Sequence, residues 1–185
     1  MNSLYIALIH YPVLRNGSVI TSSITNLDIH DISRVTATYG LGGYFIVHPD
    51  KKMRLIASQL AKHWVSGYGK EVNPDRSKAL RKTMIVSCLK NVTDIIFQKT
   101  GYNPLIVGTT ARKNNKTVNV KELKELKKKK KLPLLILFGT AGGIEDKTLN
   151  SLDYILKPIE TETGYNHLSV RSAVAIFIDR LFLCD

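Results

Sequence analysis

The chain has 185 residues, of which 44% are hydrophobic and 23% charged, and a formal net charge of +12, so it is long enough for one α/β domain and short for two. No run approaches the roughly 18 consecutive apolar residues of a membrane span, and Met1–Tyr5 lacks the basic region of a secretory signal. Cys88 and Cys184 are far apart without CxxC spacing, which argues against a zinc site or a disulfide framework. We therefore expect a cytoplasmic protein with no membrane and no metal partner.

Compact apolar runs alternate with amphipathic segments along the whole chain. The apolar runs predict six strands, at Leu4–Ile9, Tyr44–His48, Met84–Cys88, Leu105–Thr110, Leu132–Phe138 and Tyr154–Ile159. Helices are predicted over Leu27–Tyr39, 51–65, 75–82, 91–101, the lysine-rich segment, 145–150 and from 166 to Leu183. Continuous apolar strands alternating with helices indicate a mostly parallel sheet covered on both faces. The fold class is thus α/β, with one doubly wound domain over residues 1–185.

Turn and cap signals punctuate this pattern. The polar segment Tyr11–Asn26 contains the turn signal Arg15–Ser18. The expected helix caps are Asn26 or Asp28 for the first helix, Asn91 for the helix 91–101, and Asn166 with Ser169 for the last helix. Within that last helix Ala173–Ile178 has no polar residue. We expect it to be buried on most sides, against its own core, a second subunit, or both.

Small residues follow three of the predicted strands. They lie at Gly108–Ala111, Gly139–Gly143 and Lys157–Ile159. Strand-to-helix turns need glycine in any case, but ligands of such sheets bind outside the carboxyl ends of the strands. Three such ends beside a polar helix start favour a ligand pocket. The dinucleotide fingerprint GxGxxG, the phosphate loop GxxxxGK[ST] and the serine nucleophile elbow are all absent.

The positive charge is concentrated in one place. Lys121–Lys131 holds seven lysines against two glutamates, so it supplies five of the twelve net charges. Such a run is either a solvated helix face or a patch that contacts RNA, and the sequence leaves both open. The remaining excess is spread along the chain and favours a polyanionic partner, of which nucleic acid is the commonest.

Single residues are weaker signals. The five histidines lack metal-ligand spacing, although His30 and His167 lie beside polar helix starts. Arg34 either forms a surface ion pair with Asp31 or contacts a phosphate or substrate through its guanidinium fork. Arg171 precedes the apolar stretch of the last helix and is expected to face a cleft or a subunit boundary.

On these residues the chain resembles the SPOUT superfamily of S-adenosylmethionine-dependent RNA methyltransferases, and within it the bacterial tRNA (guanine-N1)-methyltransferase-like group. The resemblance runs from Leu4–Leu8 through Thr25–Ile32 to Asn166–Ala173. Asn26–Gly40, with Arg34 at the arginine position, resembles the first motif of the ribose-methylating branch, Leu137–Thr140 the second and Ser169–Val170 the third.

The resemblance implies a deep C-terminal trefoil knot, a homodimer formed through the knot region, S-adenosylmethionine as cofactor, and RNA (tRNA or rRNA) as partner. Arg34, at the arginine position of the motif, is the candidate for positioning or activating the methyl acceptor, and Asp28 is a candidate for removing its proton. Cofactor-binding positions would be Thr109, Thr110, Gly139, Ala141, Gly142, Leu156, Pro158, Asn166, Leu168 and Ser169.

Two departures from the motifs keep other hypotheses open. Ala141 stands where the ribose-methylating branch has an acidic residue, and His167 stands where it has asparagine. They motivate the alternative of a knotted RNA-binding protein without methyl transfer. An ordinary nucleotide-binding oxidoreductase is a third hypothesis, which predicts reduced-nicotinamide binding and an unknotted C-terminus. Neither the RNA nor the acceptor, a ribose oxygen or a base nitrogen, follows from the sequence.

Overall fold

The computed structural model describes residues 3–114 and 117–183, so Cys184 and the first two residues of Met1–Tyr5 lie outside the described residues. The strands are β1 Leu4–Ile9, β2 Val13–Arg15, β3 Ser18–Ile20, β4 Gly43–Val47, β5 Thr83–Val86, β6 Leu105–Thr109, β7 Thr117–Val118, β8 Leu134–Gly139 and β9 Tyr154–Leu156. The helices are α1 Asn26–Thr38, α2 Lys51–Val65, α3 Gly69–Val72, α4 Pro74–Leu80, α5 Leu89–Thr100, α6 Val120–Lys130, α7 Asp146–Asn150 and α8 Val170–Phe182.

Seven strands form one sheet in the order β5-β4-β1-β8-β6-β9-β7, and all pairings in it are parallel. β1 is an inner strand: its Leu8 lies in register with Ile46 of β4 on one side and Phe138 of β8 on the other. Parallel pairing brings all the carboxyl ends to a single edge of the sheet. The predicted parallel α/β architecture is confirmed.

Alternate residues of each strand enter two separate cores. Leu4, Ile6 and Leu8 pack with buried residues of α1, α2, α4, α6 and α8, whereas Tyr5 and Ala7 pack with those of α5 and α7. Both faces of the sheet are therefore covered, which is why the strands have no polar alternation. The doubly wound arrangement follows directly.

Four local predictions need correction. Tyr11–Asn26 contains the antiparallel hairpin β2–β3, whose three-residue, half-exposed strands are too short for an apolar periodicity. Thr25, and not Asn26 or Asp28, caps α1 by accepting from the N–H of Asp28. Asn91 lies inside α5. The last strand, predicted over Tyr154–Ile159, ends at Leu156, so β9 is only three residues long.

The lysine-rich helix α6 runs from one edge of the sheet to the other. It begins just after the carboxyl end of β7 and ends just before the amino end of β8. Lys130 accordingly lies over the ring of Tyr154, the first residue of β9, at 5.5 Å. The lysines 127–131 thus lie at the amino edge, opposite the carboxyl ends.

The last helix is buried on one side. Val174, Phe177 and Ile178 are buried, but Phe182 and Leu183 are 39% and 56% exposed. We predicted that this helix would be buried on most sides, but in a single copy of the chain its end stays exposed. No helix in the described ranges is long and apolar enough to cross a membrane.

Candidate functional site

A cleft of about 980 Å³ opens at the carboxyl edge of the sheet. Its walls are the segment after β1 and the loops that follow β6 and β8, together with the loop that leads into α8. β1 and β8 are neighbours, but the chain leaves them toward opposite ends of the sheet, to β4 and to β9. The cleft therefore lies at a topological switch point, where open α/β sheets bind ligands.

Most of the predicted site residues line this cleft. They are Asp28, Thr109, Thr110, Gly139, Ala141, Gly142, Asn166, Leu168 and Ser169. Leu156 and Pro158 do not: Leu156 is fully buried in the sheet, and Ile159 rather than Pro158 reaches the cleft. The third strand end thus contributes Ile159 to the cleft lining, and a cofactor-binding role for the backbone of Leu156 and Pro158 stays a prediction.

The segment after β1 and the loop after β8 are joined by two residues of the cleft lining, Ser22 and Thr140. The hydroxyls of Ser22 and Thr140 share a short hydrogen bond, and Thr140 also donates to the carbonyl of Ile9 at 3.2 Å. The segment after β1 is thereby fixed to the loop after β8. No sequence motif indicated this pair, because its members lie 118 residues apart.

Arg112 joins the loop after β6 to the loop after β8. Its guanidinium donates to the carbonyls of Gly142 and Ile144, the latter at 2.7 Å, and to the carboxylate of Asp146 at 2.7 Å. The planar fork can meet several acceptors at once, which a lysine could not do. Arg112 was not among the residues predicted from the sequence.

Two further contacts close the ring around the cleft. The Asn166 side-chain amide donates to the carbonyl of Ala111 at 2.7 Å. Arg171 pairs with Asp28 at 3.6 Å and Asp31 at 3.3 Å, which joins α8 to α1. Asn166 therefore ties two loops together instead of capping α8, where the cap is Ser169.

The turn after β8 depends on backbone geometry. Ala141 and Gly143 have positive φ angles of 51° and 93°, and the N–H of Gly143 donates to the carbonyl of Thr140 at 2.9 Å. A Cβ on Gly139 would come within 2.8 Å of the Gly143 carbonyl carbon, a contact that only backbone movement could relieve. Among residues 3–114 and 117–183 the N–H of Ala141 has no acceptor, so it is free to donate to a ligand.

Two buried histidines support the floor of the cleft. His10 and His48 are 0% and 2% exposed, with ring centroids 5.5 Å apart. His10 Nδ1 is hydrogen-bonded to Ser22 Oγ at 2.9 Å. Burial, with a smaller electrostatic contribution from His48, lowers the pKa of His10 to about 4, and a hydrogen bond with the backbone of Ser22 opposes this shift. His10 is therefore neutral near pH 7.

The tautomer of His48 follows from its partners. The N–H of Asp50 donates to Nδ1 at 3.1 Å, so Nδ1 carries no proton. Nε2 must then be the protonated nitrogen, and it donates to the carbonyl of Ser22 at 3.0 Å. Both histidines thus position Ser22, and sequence reasoning, which treated each histidine alone, missed the pair.

Asp28 presents the only carboxylate among the described residues that line the cleft. It is 5% exposed, accepts a hydrogen bond from the Thr25 hydroxyl at 2.6 Å and faces the guanidinium of Arg171. Burial of Tyr44, and to a lesser degree the negative charge of Asp28, raises the pKa of Tyr44 well above the usual range. Asp28 is therefore a fixed group at the cleft surface.

Other predicted residues lie elsewhere. Arg34 is exposed on α1 and does not line the cleft, and the carboxylate of Asp31 pairs with Arg171 instead. His30 packs against Trp64 at 5.5 Å, and burial is the main cause of its lowered pKa. His167, in contrast, does line the cleft.

The cleft offers two kinds of surface. The apolar residues of its lining, here called the apolar wall, are Ile20, Phe138, Ile159, Leu168, Val170, Ala173 and Phe177, and the strand-end loops contribute backbone and hydroxyl groups. In the part of the chain that the structure describes, no three histidine, cysteine, aspartate or glutamate side chains meet that could hold a metal. Such a cleft suits a ligand with a flat apolar portion and several hydrogen-bonding groups.

The sequence is similar to those of two relatives, one much longer than this chain and one of similar length. A protein named tRNA (guanine-N(1)-)-methyltransferase from Oleidesulfovibrio alaskensis is 44% identical over 180 residues, which are 97% of this chain and 42% of that protein. An uncharacterised protein of Aquifex aeolicus is 39% identical over 97% of this chain and 88% of its own length. The chain thus spans less than half of the named relative.

Solved structures share the fold at low identity. The SpoU methyltransferase AviRb from Streptomyces viridochromogenes has a TM-score of 0.61 at 14% identity, with 98% of this chain and 59% of that chain covered. The A. aeolicus TrmH/SpoU tRNA modifying enzyme has a TM-score of 0.55 at 15% identity, over 98% and 74%. Residues 3–183 match the family described as SAM-dependent RNA methyltransferase. The chain therefore belongs to the SAM-dependent RNA methyltransferase family.

Proposed function

We propose that this chain methylates a nucleotide of tRNA, using S-adenosylmethionine bound in the cleft at the carboxyl edge. The observation that carries the proposal is that Gly139–Gly143 and Asn166–Ser169 meet in one cleft at the switch point. The tRNA substrate is suggested by the name of the longer relative. Because the chain spans 42% of that protein, guanine N1 is not carried over, and the acceptor atom stays open. A tRNA substrate also favours the predicted cytoplasmic location.

The residues present fit the cofactor. The apolar wall would take the adenine ring, and the free N–H of Ala141 with the Thr109 and Thr110 segment would hold the polar groups. The full set we assign to the cofactor is Thr109, Thr110, Gly139, Ala141, Gly142, Asn166, Leu168 and Ser169. When bound, S-adenosylmethionine supplies an electrophilic methyl group.

We assign to Asp28 the acceptance of the proton that the acceptor oxygen or nitrogen releases as it is methylated. The Thr25 hydroxyl and the Arg171 guanidinium hold its carboxylate at the cleft surface. Holding the carboxylate and acceptor in reacting geometry is a large part of such catalysis, since little covalent chemistry by the protein is needed.

We also propose the knot and the dimer. The segment 157–169 and α8 would form the deep trefoil knot that the resemblance implies. Phe182 and Leu183, exposed at the end of α8, would be covered in a homodimer. Arg34 remains a candidate for the acceptor, but since it lies outside the cleft of its own chain, this role requires the cleft of a second copy.

Transfer of labelled methyl groups to tRNA tests the proposal. The tRNA would come from a strain that lacks the gene, and nucleoside analysis would identify the product. Asp28→Asn should lower kcat by about 100-fold or more, the usual contribution of a general base, while the affinity for S-adenosylmethionine measured by calorimetry is retained.

Asp31→Asn is the matched control. This substitution removes the other carboxylate partner of Arg171, but Asp31 does not line the cleft. The kcat of the Asp31→Asn variant should therefore stay near that of the unmodified protein. Equal losses in the two variants would show that the Arg171 ion pairs matter and that Asp28 is not the proton acceptor. Cofactor binding without transfer to any RNA would favour the non-catalytic RNA-binding alternative.

A further inference from the structure

The tip of the β2–β3 hairpin places a free cation at the mouth of the cleft. Arg15 and Asn16 line the cleft, and both are exposed. Across the two described ranges the Arg15 guanidinium has no ion pair and no hydrogen-bond acceptor. Arg112, the other arginine of the cleft, is fully engaged with Gly142, Ile144 and Asp146.

The hairpin holds this arginine in a defined position. Asn16 and Gly17 have φ angles of 51° and 79°, and Arg15 pairs with Ser18 across them. Two consecutive positive φ angles between paired strands are typical of the tight type I′ turn, whose twist matches that of the strands. The tip is therefore a short, well-determined turn and not a loose loop.

The base of the hairpin is fastened to the loop that follows β8. The N–H of Leu14 donates to the carbonyl of Gly143 at 2.9 Å, and the N–H of Gly142 donates to the carbonyl of Leu14 at 2.7 Å. Val13 forms an isolated bridge with Ile144. Arg15 is thus held in a constant position relative to the loop that we assign to the cofactor.

We propose that Arg15 binds a backbone phosphate of the RNA and so positions the acceptor nucleotide at the cleft. The proposal rests on the proposed function, because it takes tRNA as the partner. A guanidinium fork matches two phosphate oxygens, and phosphate contacts fix the register of a nucleic acid on a protein. An exposed arginine at the cleft mouth is better placed for a polymer that approaches from solvent than for a cofactor inside.

Affinity for tRNA measured at several salt concentrations tests this role. Replacement of Arg15 by alanine should weaken binding about tenfold at low salt, as loss of one charged hydrogen-bonded contact does. It should also reduce the slope of log affinity against log salt by about one. Arg15→Lys keeps the charge without the fork, so the slope should be retained with a partial loss of affinity. KM for tRNA should rise more than kcat falls.

Arg81→Ala is the matched control, since Arg81 is also exposed but lies just before β5, at the amino edge. If Arg15→Ala and Arg81→Ala had the same affinity for tRNA and the same slope of log affinity against log salt, the proposal would be overturned. A loss of S-adenosylmethionine affinity with tRNA binding unchanged would also overturn it, because it would assign Arg15 to the cofactor carboxylate. Binding is measured without turnover, so a protein that binds tRNA through Arg15 but transfers no methyl group would sink the proposed function alone.

Discussion

The two edges of the sheet differ in charge and in construction. At the carboxyl edge, four chain segments are tied in a ring by Ser22–Thr140, Arg112, Asn166 and Arg171, and they enclose the cleft. At the amino edge lie the lysines of the last turn of α6 and the following Lys131, and 128–131 are exposed. The densest charge in the sequence therefore lies opposite the cleft. The cleft is thus formed by backbone geometry and contacts between loops, and the position of the lysine-rich segment does not indicate where the cleft lies.

The largest effect should come from the backbone of the carboxyl edge. Gly139→Ala would force a Cβ to within 2.8 Å of the Gly143 carbonyl carbon, so the turn that lines the cleft must shift. A displacement of about 1 Å at a site can cost roughly 100-fold in rate, and we expect a loss of that size in kcat/KM together with weaker S-adenosylmethionine binding. Calorimetry and methyl transfer measure the two effects.

Gly43→Ala makes the same change at the amino edge. There the added Cβ would meet the terminal methyl carbon of Met84, the flexible end of a side chain that can move aside. Cofactor affinity should change little. If Gly139→Ala and Gly43→Ala weakened cofactor binding equally, the loss would reflect a general loss of stability and not the geometry of the carboxyl edge.

The second effect concerns the buried support of the carboxyl edge. The pKa of His10 is about 4 when folded against 6.5 for an ordinary histidine. Below pH 6.5 the His10 side chain takes up a proton in the unfolded chain but not in the folded chain. The contribution of His10 to the free energy of unfolding is therefore at its full value above pH 6.5. It is lost as the pH falls toward 4, by about 3 kcal/mol in all.

His10→Asn tests this linkage, because asparagine can keep the hydrogen bond to Ser22 but does not titrate. Urea unfolding of both proteins between pH 7.5 and 4.5 should show a smaller loss of stability in the variant, and S-adenosylmethionine affinity should follow the same difference. All other residues are the same in the two proteins, so their contributions to the pH dependence largely cancel. Parallel pH curves would mean that His10 does not couple folding to pH.

The sequence predicts six of the seven strands of the parallel sheet and most of the cleft lining, but not β7, α3 or the β2–β3 hairpin, for an identifiable reason. Apolar runs such as Leu4–Ile9 report burial on both faces, and parallel pairing then brings Gly139 and Thr109 to one edge. The contacts between loops could not be predicted this way. Ser22–Thr140 and Asn166–Ala111 join residues 118 and 55 positions apart, and no local pattern encodes such pairs. Arg34 was selected by its motif, which carries no information about the face of α1 that it occupies.

The smallest effect is expected at the amino edge. Replacing Lys128, Lys129 and Lys131 by glutamine removes three exposed charges and leaves Lys130 over Tyr154. Exposed charges beyond about 8–10 Å are largely screened at physiological salt, so kcat and cofactor affinity should be unchanged and tRNA affinity reduced by less than about threefold. The same assays used for Arg15 measure this. A loss larger than that of Arg15→Ala would make the amino edge the principal RNA-binding surface and would mean that tRNA spans both edges of the sheet.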